Sequence, residues 1–164
     1  GTILVTAEQV HSHQVGVVTP DSELPSGPTA GVDGLVTNRT DICLGIMVAD
    51  CGAVYLVDPV ARCIGLVHSG RKGTDEGIVP VAINAMASNF GADPARMTAV
   101  LGPCIRPPHY EIDFAARIIA QCREAGIGNV YDSELCTGSD LERYYSYRME
   151  KGKTGRMLAL LALP

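Results

Sequence analysis

At 164 residues, with 46% hydrophobic residues and a net charge of −5, the chain is long enough to bury one core and too acidic to carry a general field for nucleic acid. No apolar run approaches the ~20 residues of a membrane-spanning helix, and the apolar end from Met157 to Pro164 is far shorter, so no membrane partner is expected. The six cysteines (43, 51, 63, 104, 122 and 136) contain no Cys-x-x-Cys pair, which speaks against a zinc ribbon or a disulfide-stapled secreted module and for a reducing, cytoplasmic setting.

Residues 2–6 predict a strand, and 14–19, with Val15, Val17 and Val18, predict a second. Pro20, Pro25, Gly27, Pro28 and Gly31 mark a long loop, followed by a short extended piece over 32–37. Apolar runs then come quickly at 43–50, 53–58 and 62–68. The last two are split by Asp58-Pro59-Val60-Ala61, where proline suits a type I turn. This order predicts a meander of antiparallel strands. A helix is predicted to begin near Thr74–Glu76, with Asp75 and Glu76 at its N-terminus and Pro80 in its first turn. Ile78, Val79, Ala82, Ile83, Met86, Ala87 and Phe90 follow the helical period, and Gly91 ends it. Residues 97–101 predict a strand, Asp113 suits the N-cap of a second helix over 114–125 with Gly126 as its stop, and 156–163 predict a last strand. The mixture predicts one α+β domain over 1–164, without internal repeats.

Three side chains carry the chemistry: His11, Cys51 and His68. Cys51 and His68 each close an apolar run, with Gly52 and Gly70 just beyond, the arrangement by which a rigid sheet presents a reactive group at a cleft edge. A thiolate with two imidazoles suits Zn²⁺ with one open position, or a Cys–His nucleophile pair. Each residue also has a plainer reading. His11 and His13 face the same side if their stretch is a strand, and either is at home on a surface. Cys51 alone reads as a core thiol; Cys43, Cys63 and Cys122 read as packing, and Cys104, after Gly102-Pro103, as core or as a neighbour of the site. Asp50 points away from Cys51 if both lie on a strand, and then serves the turn. Arg71-Lys72, between Gly70 and Gly73 and ahead of the predicted helix, reads as an anion site or as a solvated turn.

Ordered motifs run along the whole chain: Gln9-Val10-His11, Asp33-Gly34-Leu35-Val36-Thr37, Ala49-Asp50-Cys51, Asp58-Pro59, His68-Ser69-Gly70 with Gly73-Thr74 and Gly77-Ile78, Leu101-Gly102-Pro103-Cys104-Ile105, Tyr110-Glu111-Ile112, Cys136-Thr137, Tyr145-Ser146-Tyr147-Arg148 and Thr154-Gly155-Arg156. In this order and spacing they resemble the laccase-domain (YfiH-like) family, long named polyphenol oxidoreductases. The resemblance implies an α/β sandwich of mixed sheets flanked by helices, related to cytotoxic necrotizing factor catalytic domains. It implies a metal or nucleophile site at His11, Cys51 and His68, and it adds Arg148 and Arg156 to Arg71 and Lys72 as anion contacts. Family members act as purine nucleoside enzymes, in adenosine phosphorolysis and deamination, and in bacteria as a peptidoglycan editing factor. Two departures stand out. The family's His-Ala-Gly-Trp-Arg-Gly reads here His68-Ser69-Gly70-Arg71-Lys72-Gly73, which removes an aromatic and turns a bidentate arginine grip into the point charge of lysine. Only eight residues precede Gln9, where the family carries a longer segment, so a shortened domain is expected.

The leading expectation is a zinc-dependent enzyme acting on a small-molecule substrate, a purine nucleoside, with phosphate. Cys51, His68 and Lys72 are its catalytic residues. Zinc on the three ligands would acidify water to a pKa near ~7 for attack at C6 of adenine, with Glu111 or Asp50 moving protons. Phosphorolysis would instead use Lys72 and Arg71 to hold phosphate. The alternatives are a Cys–His hydrolase of peptidoglycan precursors and a non-catalytic, metal-binding member. Multicopper oxidation fits poorly, because it needs several clustered sites rich in histidine and the chain has four histidines; copper at the same three ligands is the alternative metal.

Overall fold

A computed structural model describes residues 1–164. Its strands are Ile3–Thr6 (β1), Val15–Val18 (β2), Gly34–Thr37 (β3), Ile42–Val48 (β4), Gly52–Asp58 (β5), Cys63–Ser69 (β6), Thr98–Leu101 (β7), Asn129–Asp132 (β8) and Met157–Ala162 (β9). Its helices are Arg71–Asp75 (α1), Ile78–Phe90 (α2) and Phe114–Glu124 (α3), with a 3-10 turn at Pro94–Arg96. Six strands form one mixed sheet in the order β2-β3-β6-β5-β7-β8, and three form another, β1-β4-β9.

The burial of alternate residues explains the layering. On β6 every residue is buried, because one face meets helices and the other meets the small sheet. Val36, Val54, Leu56 and Val67 pack with Ile78, Val79, Ile83, Met86, Ile118 and Cys122 of the two longer helices. Leu35, Ala53, Ile64 and Leu66, from the opposite face, pack with Val5, Leu44, Ile46, Val48 and Ala159 of the small sheet. The result is three layers: helices, large sheet, small sheet. The small sheet's outer side shows Leu4, Met47, Leu158 and Leu160 to solvent.

The α+β sandwich of mixed sheets flanked by helices is therefore the observed fold. The antiparallel meander holds only for β5 and β6, which pair in register from Gly52↔Ser69 to Asp58↔Cys63. β4 leaves this sheet and pairs with β1 in parallel and with β9 in the opposite sense. Its pattern shows why: Ile42, Leu44, Ile46 and Val48 are buried while Met47 is exposed, so it has one apolar face and suits an outer layer. The predicted single helix from Thr74 is two helices. α1 already starts at Arg71, and Gly77, at φ 77°, breaks the chain before α2. Asp75 and Glu76 thus end α1 and open no helix, while Pro80 sits in the first turn of α2 as expected. Asp113 caps α3, accepting from the Ala116 amide at 3.0 Å, and Gly91 closes α2 with a left-handed φ of 71°. The short strand β8 carries no alternation strong enough to mark it in sequence.

The turn between β5 and β6 is held by a buried acid. The Asp58 carboxylate accepts from the amides of Val60 and Ala61 at 2.9 and 3.0 Å, from the Asp93 amide at 2.9 Å and from Arg96 at 3.3 Å. Burial opposes its ionisation, but these donors outweigh burial and hold its pKa below the ordinary carboxylate value. Asp58→Ala is expected to cost about 2–3 kcal/mol in denaturant unfolding at pH 7, since three amides lose their acceptor. Because the folded pKa is lowered, Asp58 stabilises fully above the unfolded value near ~3.9 and loses this as pH falls through the folded pKa. The gap between variant and native protein should therefore close below about pH 4; a gap unchanged down to the acid transition would contradict it.

Candidate metal centre

The chain crosses between the two sheets three times near one end of the sandwich, and two of these crossings carry a candidate ligand. Residues between β1 and β2 hold His11; residues 49–51, between β4 and β5, hold Cys51. His68 comes from β6 itself, on the same side of the strand as Ile64 and Leu66 and so facing the small sheet. The ligand atoms of His11, Cys51 and His68 all lie within 4.8 Å of one another. The two imidazoles meet edge to face, with ring centroids 5.4 Å apart. No other group of three or more His, Cys, Asp or Glu side chains is placed to share an ion.

His11 lies between the two predicted strands, as their bounds imply, so the shared face with His13 that a strand would give does not apply. It sits in a loop with φ 59°, and its turn is built on Asp33. The Asp33 carboxylate is fully buried and accepts five hydrogen bonds: Oδ1 from the Val10 amide, the Ser12 amide and the Ser12 hydroxyl at 3.0, 2.8 and 2.9 Å, Oδ2 from the His11 amide at 3.0 Å and from His68 Nδ1 at 2.9 Å. One acid thus shapes the His11 loop and turns the other ring nitrogen of His68, Nε2, toward Cys51 and His11. Burial alone would raise the pKa of Asp33, but the bonds from His68, Ser12 and Val10 hold it far below the usual carboxylate range. Burial likewise disfavours the charged form of His68, yet Asp33 and the Cys51 sulfur outweigh it and raise its pKa to about 9. A carboxylate on the far ring nitrogen of a histidine is the usual support of a metal ligand. A thiolate and two imidazoles, one of them so supported, would suit Zn²⁺ or another borderline-soft ion, and three protein donors are one fewer than the four zinc usually takes.

Gln9 fastens the same loop from the other side. Its amide exchanges hydrogen bonds with the Met47 backbone, 2.6 Å to the carbonyl and 2.7 Å from the amide. Gly70 flanks the sulfur so closely that a Cβ there would collide with Cys51 Sγ.

Two openings meet at the ligands. The larger, about 1050 Å³, is lined by His11, Cys51, His68, Tyr110, Arg148 and Arg156 among others. The smaller, about 500 Å³, is lined by His11, Cys51, Arg71, Lys72, Glu76 and Tyr110 among others. All four predicted cationic residues therefore border one or other opening. An anion bound here would be held by side chains rather than by a helix dipole, since α1 spans only five residues. Lys72 is exposed and lies 4.0 Å from Glu76, which also meets His13 at 3.0 Å. Arg148 lies 5.2 Å over the Tyr110 ring and pairs with Glu111 at 2.9 Å.

Neither expected proton shuttle is free. Asp50 accepts from Thr137 Oγ1 at 2.7 Å and from the Arg148 amide at 2.8 Å, and its carbonyl accepts from the Ile105 amide at 2.9 Å, so it ties three segments to the base of the Cys51 loop. Glu111 is committed to Arg148. Two residues with clear roles here, Asp33 and Tyr110, carried none in the sequence reading. Asp33 had a signal: an acid set between Val32 and the apolar Gly34-Leu35-Val36 must be buried with donors.

Residues 1–117 and 109–164 match the family described as multi-copper polyphenol oxidoreductase laccase. The chain belongs to this laccase family. A purine nucleoside phosphorylase of Streptomyces coelicolor is 32% identical to this laccase-family chain over 180 residues, covering 94% of the chain and 72% of that protein. One of Deinococcus radiodurans is 35% identical over 159 residues, covering 80% of the chain and 61% of that protein. Among solved structures, YlmD of Geobacillus stearothermophilus superposes with a TM-score of 0.88 at 28% identity, over 98% of the chain and 73% of YlmD. The Bacillus licheniformis hypothetical protein YfiH gives 0.87 at 29%, over 98% and 74%.

Proposed function

We propose that this laccase-family chain is a zinc-dependent purine nucleoside enzyme acting by phosphorolysis, with His11, Cys51 and His68 holding the ion and Arg71 and Lys72 holding phosphate. The observation that carries the reading is the meeting of the three ligands at an open cleft bordered by cations. The relatives named purine nucleoside phosphorylase support the substrate class. Bound there, zinc supplies a Lewis acid that can polarise a substrate atom or acidify a water molecule.

The residues of the chain divide the remaining work. Arg71 and Lys72 bring phosphate beside the ligands, where one of its oxygens bonds to the ribose anomeric carbon as the bond from that carbon to the base breaks. Tyr110, common to both openings, offers an aromatic edge for the nucleoside, and Arg148 and Arg156 add positive charge along the larger one. Deamination is less well supplied, because it needs a carboxylate free to move protons and both Asp50 and Glu111 are engaged. One three-donor site also supports mononuclear zinc chemistry better than phenol oxidation, which needs a copper cluster. The six free thiols support placing the protein in a reducing compartment, the cytoplasm, and no helix is long and apolar enough to cross a membrane.

The test is turnover of adenosine and inosine by zinc-replete protein, with and without phosphate. Phosphate-dependent release of free base is expected, and Cys51→Ser should lower it at least ~100-fold. Absence of nucleoside turnover in folded, zinc-loaded protein would reject the proposal. Cleavage of a nucleotide-linked muramyl amino acid instead would assign the site to peptidoglycan-precursor hydrolysis. Zinc that only raises Tm would make the trio structural.

A further inference from the structure

A second pair of thiols lies in the segments that follow β7 and β8, where the Ile105 amide, next to Cys104, donates to the carbonyl of Asp50, next to Cys51, at 2.9 Å. Cys104 and Cys136 face each other in an isolated parallel bridge. The Cys104 amide donates to the Leu135 carbonyl at 3.2 Å and the Thr137 amide to the Cys104 carbonyl at 3.1 Å, so the two residues are locked in register. Both side chains contact the same apolar cluster and therefore lie on one side of the bridge. Strands paired in this way run about 4.8 Å apart, inside the roughly 4.4–6.8 Å that a disulfide spans between Cα atoms.

The two thiols differ in setting. Cys104 is fully buried, and burial pushes its pKa up to about 12. Cys136 is only partly buried, and three groups address its sulfur: His109 Nδ1 at 3.6 Å, the Arg106 amide at 3.3 Å and the Arg106 carbonyl at 3.7 Å. Arg106 is itself fixed by two bonds to Asp132 at 2.8 and 2.6 Å. A partly buried cysteine whose sulfur meets an imidazole and an amide donor, bridged to a second, sheltered cysteine, is the composition of a reactive and a resolving cysteine.

We propose that Cys136 and Cys104 form a redox-modification site, where a hydroperoxide converts the pair to a reversible disulfide. His109 takes the Cys136 thiol proton, and the sulfur attacks one peroxide oxygen. The O–O bond breaks, the far oxygen leaves as water or alcohol with that proton, and Cys136 becomes a sulfenic acid. Cys104 sulfur then displaces hydroxide from Cys136. The S–S bond forms, the S–OH bond breaks, and water departs with the Cys104 proton. Two thiols lose two electrons and one peroxide gains them. A thiol reductant reverses the change. None of these residues is a candidate zinc ligand, so the inference stands independently of the nucleoside reading.

The test treats reduced, zinc-loaded protein with equimolar hydrogen peroxide and maps its peptides. The expected product has lost two hydrogens and links the tryptic peptides 97–117 and 124–143, and dithiothreitol separates them. Cys104→Ser should stop at a sulfenic acid that dimedone traps on Cys136. His109→Phe should slow alkylation of Cys136 at neutral pH by about 10-fold, in protein whose circular dichroism is unchanged. Peroxide consumed at Cys51 or at another thiol, with no 104–136 link and no dimedone adduct on Cys136, would overturn the proposal.

Discussion

Asp33→Asn is expected to lower zinc affinity by about 100-fold and folding stability by about 3 kcal/mol, although it changes one atom. Asn keeps an acceptor at the position of Oδ1, which serves Val10 and Ser12. At the position of Oδ2 it places an N–H₂ group against the His11 amide, and two donors then face each other. His68 meets the same group through Nδ1. It can restore a bond there only by accepting, which moves its proton to Nε2, the nitrogen that must be bare to bind an ion. The substitution thus distorts the His11 loop and sets the wrong tautomer of His68 together. Competition with a chromophoric chelator measures the first effect, and urea unfolding of chelator-treated protein the second. Unchanged zinc affinity would show that Asp33 does not orient the ligands.

Gly70→Ala is expected to abolish zinc binding and turnover, at least ~100-fold in each, while the metal-free fold keeps its Tm within a few degrees. The added methyl group occupies the place of Cys51 Sγ, so the sulfur must swing away from the two imidazoles. The backbone itself tolerates alanine: Gly70 has φ −100°, in the ordinary range for L-residues. Loss therefore isolates the position of the sulfur from the stability of the chain. Gly73→Ala is the control, because its Cβ would meet nothing closer than 3.6 Å and it lies inside α1. Metal content by mass spectrometry, with Tm from chelated samples, decides the point. A Gly70→Ala protein that binds zinc like the native one would remove Cys51 from the ligand set.

Much of the fold was legible because burial leaves a period in the sequence. β5 and β6 are continuous apolar runs since both faces are covered, and Asp113, Gly91 and Gly126 mark helix ends because caps need particular side chains or a left-handed φ. The parting of β4 from β5 was not legible. Two successive apolar runs look like a hairpin, and only long-range packing of Ile42, Leu44, Ile46 and Val48 against the large sheet sends β4 into another layer. The split of α1 from α2 turns on a single glycine, and a strand as short as β8 is decided by its neighbour β7 more than by its own four residues.

The site divides along the same line. Residue types and the ordered motifs singled out the side chains proposed to hold the chemistry, two imidazoles, one thiol and a set of cations, in a chain of the laccase family. Tertiary structure alone decided their geometry. It builds the His11 loop on Asp33, engages Asp50 and Glu111 elsewhere, and so gives Asp33 the central role. The physical reason is that a ligand's identity is local to one residue, whereas the direction in which a ring nitrogen or a sulfur points is set by hydrogen bonds and close contacts from residues far away in the chain, as Asp33 acts on His68 and Gly70 on Cys51.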